Sequence, residues 1–371
     1  MKLKKNVKKN ILIVAGETSG DRLGQSILKE LSLRKGYVFF GVGGDGLKDI
    51  GVELLYSTKD LSVVGIVEIL FSFFRLKKIM SHLVRESVRR QVSHAVLIDF
   101  PGFNLRLARK LSQLGISCYL IASPQIWAWR YKRIYKIKKY IRSVFCFYDF
   151  EVEIYKRENI KAFFVGHPLV KEWKKYRKKE DKNLIAILPG SRPLEIKKLM
   201  PFFIALIKRI SERNENFFFV IPAASSHIMD LLKLYKLPPK VRLSSEPAAS
   251  VLSRAYAAFA CSGTVTLECA FFQVPFFLVY KASYLSYWIA LTLVKINHIG
   301  MPNILAGREI VPELWQHEVR LAKAWPLAEK ILFDELYRQK MKQDLAMVAR
   351  KLGDGSSAEK IAYELEKEFR L

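Results

Sequence analysis

Acidic residues are scarce in this 371-residue chain, 35 against 62 Lys and Arg, which leaves a formal net charge of +27. Such an excess attracts polyanions, but charge alone does not choose among nucleic acid, an anionic lipid leaflet and phosphorylated small substrates. Cysteine is scarce too: Cys118, Cys146, Cys261 and Cys269 lie in apolar stretches with no C-x-x-C pair. That excludes a disulfide scaffold and reads as reduced, buried thiols of a cytosolic protein. The histidines form no H-x-x-x-H or Cys/His cluster, so no metal is expected. Long apolar runs are missing as well. A spanning helix needs about 20 consecutive apolar residues, whereas the longest uncharged stretch, Leu111 to Trp129, is broken by Gly115, Pro124 and two glutamines. The basic start, Met1 to Asn10, runs into Ile11–Val14, which is too short for a signal-peptide core and reads as a first strand.

What is present is an α/β pattern, with half of the residues apolar and a length beyond one hydrophobic core. Short β-rich runs at 11–15, 37–41, 94–99, 117–122, 143–148 and 163–165 alternate with helical patterns, as in a doubly wound parallel sheet. The Lys-rich stretch 171–182 reads as a linker, after which strands recur at 184–188, 217–221, 257–261 and 275–280, with helices such as 194–214 and 264–272 between them. The expectation is two Rossmann-like domains, 1–170 and 183–320, followed by C-terminal helices over 321–371 that pack back on the domains or exchange with a second subunit. Open sheets of this kind bind ligands beyond the carboxyl ends of their strands, so two of them are expected to share a central cleft.

Four strand ends carry candidate chemistry. Gly16-Glu17-Thr18-Ser19-Gly20-Asp21 follows the first strand, and its glycines let backbone amides approach an anion, though Asp21 or Ser19 could equally cap an ordinary helix. Glu17 is harder to explain as structure, because an acid at a strand end costs desolvation unless something uses it. Asp99, before Phe100-Pro101-Gly102-Phe103-Asn104, is placed to take a proton from an attacking hydroxyl, or else simply binds a neighbouring turn. Gly190-Ser191-Arg192, followed by Glu195, suits a diphosphate; a surface Arg at a helix entrance is the plain alternative. Ser262-Gly263-Thr264, with Glu268 one helical turn on, can cradle phosphate oxygens and accept from ribose hydroxyls, or merely cap a helix. His167, in Gly166-His167-Pro168, reads as positional.

Two further stretches combine apolar faces with clustered cations. Val63 to Ile79 is bulky and apolar on more than one helical face, with Arg75, Lys77, Lys78 and Arg85 nearby. Such a helix is either core or laid into a bilayer interface, where each cation is worth about 1 kcal/mol. Arg130 to Arg142 places Ile134, Ile137 and Ile141 on one face and cations elsewhere, which reads as packing on the sheet while the cations line the approach to an anionic lipid.

These blocks, with Gly41-Val42-Gly43-Gly44, Ser123 to Arg130, Val165 to Leu169 and Met301-Pro302-Asn303-Ile304-Leu305-Ala306-Gly307, together resemble the lipid-A-disaccharide synthase family in order from about residue 11 to 320. The resemblance implies the two-domain glycosyltransferase B fold and no metal or other cofactor. It implies inverting transfer of 2,3-diacylglucosamine from its UDP carrier to 2,3-diacylglucosamine 1-phosphate. It makes Asp99 the general base with Glu17 beside it, and assigns Gly16, Ser19, Ser191, Arg192, Ser262, Gly263, Thr264, Glu268 and Asn303 to substrate and UDP. Val67, Ile69, Leu70, Phe73 and Phe74 become the contact with the anionic inner face of the inner membrane, in a cytoplasmic, peripherally attached protein that leaves room for a homodimer and does not bind nucleic acid. The chain departs from the family at Gly102, where many members carry a second Asp. The competing enzymatic reading is a relative acting on UDP-N-acetylglucosamine-type substrates, either a lipid-linked glycosyltransferase or an epimerase.

Overall fold

A computed structural model describes residues 9–32, 36–61, 68–176, 178–281 and 298–370. The chain forms two compact units, Met1–Pro168 with Gly355–Leu371, and Leu169–Asp354. In the first, strands β1 (Lys9–Ala15), β2 (Tyr37–Gly43), β3 (Glu53–Ser57), β4 (His94–Ile98), β5 (Ser117–Ile121), β6 (Ser143–Cys146) and β7 (Ala162–Phe164) make a seven-stranded sheet in the order β3-β2-β1-β4-β5-β6-β7. Every pairing is parallel. The crossovers are α1 (Thr18–Ser32), α2 (Asp45–Asp49), α3 (Thr58–Leu61), α4 (Glu68–Arg89), α5 (Pro101–Ser112), α6 (Arg133–Tyr140) and α7 (Asp149–Arg157).

Strand side chains alternate between two apolar layers, as the period of two dictates. Leu12, Val14, Ala95, Leu97, Cys118 and Leu120 face α4, α5 and α6, where Leu83, Leu107, Ile134 and Ile137 are fully buried. Ile11, Ile13, Val96, Ile98, Tyr119 and Ile121 face α1 and the final helix.

The second unit pairs β8 (Asp181–Leu188), β9 (Phe218–Pro222), β10 (Val241–Ser244), β11 (Ala255–Cys261), β12 (Phe276–Tyr280) and β13 (Glu313–Trp315) in the order β10-β9-β8-β11-β12-β13, again all parallel. Its helices are α8 (Val170–Trp173), α9 (Pro193–Arg213), α10 (Ser226–Lys233), α11 (Ala248–Leu252), α12 (Val265–Phe271), α13 (Met301–Ala306), α14 (Leu321–Phe333) and α15 (Glu335–Lys351).

The lysine-rich stretch 171–182 belongs to the second unit. Trp173 is buried with its ring 5.5 Å from that of Phe271, and Asp181 already opens β8. The C-terminal helices divide: α14 and α15 stay with the second unit, whereas α16 (Ser357–Arg370) returns to the first and packs beside α1. There Glu368, 2% exposed, accepts from Arg142 Nε at 2.6 Å and from Lys161 Nζ, and Ser357 Oγ donates to the Gly166 carbonyl at 2.9 Å. Three edge or near-edge strands, β3, β10 and β13, have no counterpart in the sequence reading. Among the described residues no helix is long and apolar enough to cross a membrane.

Candidate active site

In both sheets the strand order reverses direction beside the first strand, between β1 and β4 in one unit and between β8 and β11 in the other. Crossovers leave such a point in opposite directions, so the carboxyl ends of its two strands stand open to a ligand. The four candidate loops follow these four strands.

At the first switch point Ala15 pairs with Ile98, which sets Gly16-Glu17 beside Asp99. The close approach requires glycine, since a Cβ on Gly16 would stand 2.4 Å from Phe100 Cβ. Asp99 and Phe100 both take left-handed backbone, φ 54° and 46°. Such conformations cost energy in non-glycine residues and persist where surrounding bonds over-determine them. Here the Asp99 amide donates to Ile121 O at 2.9 Å, Asn104 Nδ2 donates to the Asp99 carbonyl at 2.6 Å, and Asp99 Oδ1 accepts the Phe100 amide at 2.8 Å. Glu17 is exposed, and its carboxyl is raised above the ordinary range by desolvation and by the nearby Asp99 charge. Two carboxyls set side by side at a strand-end switch point are the raw material of general acid–base chemistry. Ser19 is exposed on α1. Asp21, by contrast, is buried and accepts the amides of Gly44, Gly46 and Leu47 at 2.6, 2.9 and 3.2 Å, so it joins two of the glycine blocks and serves structure.

At the second switch point the amides of Ser191 and Arg192 both donate to Glu195 Oε2, at 2.9 and 3.1 Å. Gly190, at φ 117°, is required there: a Cβ would lie 2.4 Å from that oxygen. Glu195 therefore fixes the loop and occupies its amides; the exposed Ser191 hydroxyl and the Arg192 guanidinium, 80% exposed though 3.8 Å from Glu195 Oε1, remain accessible. Across β11, Ser262 Oγ donates to Ile299 O at 3.3 Å, while Gly263 and Thr264 are exposed. Glu268 projects from α12 with Oε2 buried and without a hydrogen-bond partner among the described residues; burial pushes its carboxyl up to about 7. A buried carboxyl oxygen left unpaired costs about 1–3 kcal/mol, so a donor supplied by a ligand would stabilise this one.

Asn303 is corrected by the structure. It is fully buried, its amide donates to Val311 O and Glu313 Oε1, and its carbonyl accepts Ile310 N and Val311 N, each at 2.8 or 2.9 Å. No polar group remains for a nucleotide; Asn303 shapes the loop. Glu313 does the same from the other side, accepting the amides of Ile299 and Gly300. Glu195 and Glu313 are the loop organisers that motif reading missed. For Glu195 the signal was an acid three residues into the helix; for Glu313 there was none. His167 is buried against Phe147 and Tyr148, and burial pushes its imidazole down to about 4.

Phe73 and Phe74, near the start of α4, are 53% and 67% exposed. Val67 lies outside the described residues, as do the side chains of Ile69 and Leu70.

A family model described as lipid-A-disaccharide synthetase matches residues 11–365. The chain belongs to this family. It is 35% identical over 365 residues to the lipid-A-disaccharide synthase of Coxiella burnetii, covering 95% of this chain and 97% of the relative. It is 37% identical over 368 residues to that of Anaeromyxobacter dehalogenans, covering 96% of each. Among solved structures, UDP-GlcNAc 2-epimerase from Neisseria meningitidis bound to UDP-GlcNAc superposes with a TM-score of 0.61 at 13% identity, over 96% of this chain and 100% of that one. The calicheamicin glycosyltransferase gives 0.63 at 16%, over 97% and 98%. These likenesses establish the two-sheet α/β fold. As a member of the lipid-A-disaccharide synthetase family, the protein is a glycosyltransferase.

Proposed function

We propose that the protein transfers 2,3-diacylglucosamine from its UDP carrier to 2,3-diacylglucosamine 1-phosphate, with the acceptor as ligand of the first unit and the UDP-sugar as ligand of the second. Asp99 takes the proton of the acceptor's primary hydroxyl as that oxygen attacks the anomeric carbon. The bond to UDP breaks on the opposite face, and the configuration inverts. Arg192, with the hydroxyls of Ser191, Ser262 and Thr264 and the open backbone at Gly263, receives the diphosphate, whose negative charge grows as the bond breaks. Glu268 accepts from the ribose hydroxyls. Gly16 and Ser19 border the acceptor, with Glu17, its carboxyl raised by desolvation and by the Asp99 charge, beside the base. Phe73 and Phe74 with the cations after them hold the enzyme on an anionic leaflet, where both acylated substrates reside.

The observation that carries this reading is the acid pair Glu17 and Asp99, with Asp99 on left-handed backbone, at the switch point of a sheet in a chain of this family. Asp99→Asn is expected to lower turnover by at least about a hundredfold, within the range of a lost general base, while UDP binding by calorimetry stays unchanged. Near-normal turnover of Asp99→Asn would remove Asp99 from the role. The assay is mass-spectrometric detection of the acylated disaccharide with released UDP; an isomerised UDP-sugar without UDP release would identify epimerase chemistry instead.

A further inference from the structure

The loop after β5 leads into the basic stretch Arg130 to Arg142. It leaves the sheet next to Asp99, whose amide is bonded to Ile121, the last residue of β5. Two residues on, Ser123 Oγ is 2.9 Å from Tyr155 OH, and Trp127 Nε1 donates to the buried carboxyl of Glu151 at 3.2 Å. The loop is thus bolted to the unit from beneath. It ends in Trp129-Arg130, with Arg130 again left-handed at φ 56°. Arg130 Cζ lies 4.4 Å from the centroid of the Trp129 ring, and Arg133 Cζ lies 5.1 Å from the same ring.

Two guanidiniums therefore share one indole. Neither has a carboxylate partner among the described residues. Tyr131, between them in sequence, gives its hydroxyl to Glu158 at 3.1 Å, so that acid is engaged elsewhere. Glu151, the acid inside the loop, is kept protonated to about 8 by burial and does not neutralise them. Like charges held together without a counter-ion repel, and a dianion with several acceptor oxygens relieves the repulsion. A phosphomonoester carries nearly two negative charges at neutral pH.

We infer that Arg130 and Arg133, splayed on Trp129 at the carboxyl edge of the first sheet, hold the phosphomonoester of the acceptor while its hydroxyl lies at Asp99. This rests on the proposed acceptor and adds the pair as specificity determinants. The same chemistry would also take a phosphate headgroup of the bilayer, and the test separates the two.

Full-length protein and the Arg130→Gln, Arg133→Gln double variant are assayed in detergent micelles at varied acceptor and varied donor. The acceptor KM is expected to rise by about tenfold to a hundredfold, the worth of one or two charge-assisted bonds, with donor KM and the melting temperature unchanged. With an acceptor that lacks the phosphate, wild type and variant are expected to perform alike. An unchanged acceptor KM, or an equal loss on both acceptors, overturns the inference. So does a variant that keeps its micellar acceptor KM yet no longer sediments with phosphatidylglycerol vesicles, which would assign the pair to the leaflet. If the wild type makes no disaccharide at all, the proposed function has failed; binding of glucosamine 1-phosphate by calorimetry, lost in the double variant, still decides the site.

Discussion

Glu268 is where a single side chain carries most. Its carboxyl sits near 7 because burial disfavours the charge. The proton is therefore bound more tightly folded than unfolded, and the associated stability, full below the ordinary value of 4.5, is lost as pH rises toward 7. A ribose hydroxyl donates better to the carboxylate, so ligand binding pulls the other way. Uridine, which has no titrating phosphate, is expected to bind more tightly as pH rises from about 6 to about 8, and Glu268→Gln to abolish that slope and weaken binding about tenfold at the upper end. Calorimetric titration checks both, and a flat wild-type profile would take Glu268 out of the ribose site. Glu268 stands out in the sequence as an acid one turn after a glycine-containing strand end, while its burial and its unpartnered Oε2 come from the fold. Asn303 rests on the family resemblance alone, and the structure gives its amide other partners: which side of a loop an amide faces depends on groups such as Val311 and Glu313, whose contacts are set by folding and leave no mark in the spacing.

Among elements, the central strands announce themselves. β1, β4, β8 and β11 are buried on both faces, and a continuous apolar run follows from that environment. β3 and β10 lie at sheet edges with mixed exposure, so Glu53 to Ser57 and Val241 to Ser244 carry no continuous apolar run to mark them as strands. α4 is the intermediate case. Its later turns pack Ile79, Met80 and Leu83 into the core, which answers one half of the question its composition posed. Its exposed end carries Phe73 and Phe74, whose rings touch each other at 6.0 Å. Substituting both by Ser is expected to move the protein from the membrane pellet to the supernatant in fractionation, because two exposed rings contribute about 1.5–3 kcal/mol each when buried in an apolar phase. The melting temperature should not fall, since neither ring is in the core; a fall without loss of sedimentation would count against membrane contact.

For the whole molecule, the decisive event is the return of the chain at Gly355 to finish the unit that it began. α16 supplies Ile361, Ala362, Leu365 and Phe369 to the layer that covers Ile11, Val96 and Tyr119, so that layer is incomplete until the last residues arrive. Sequence reading allowed this helix to pack back or to exchange, since an amphipathic helix fits either destination. Polar contacts add to that packing. Burial pushes the Glu368 carboxyl up, but Lys161 and Arg142 together outweigh burial and hold it below the ordinary 4.5. A depressed acid stabilises above its unfolded value and loses that contribution as pH falls through the folded one. Glu368→Gln should therefore cost about 2 kcal/mol at neutral pH, the scale of a bond to a charged group. The deficit should shrink toward zero as pH drops below the ordinary 4.5, where the wild-type carboxyl also becomes neutral. Denaturant melts followed by circular dichroism across that interval measure it. A deficit that persists unchanged in acid would mean that shape, and not charge, holds the final helix in place.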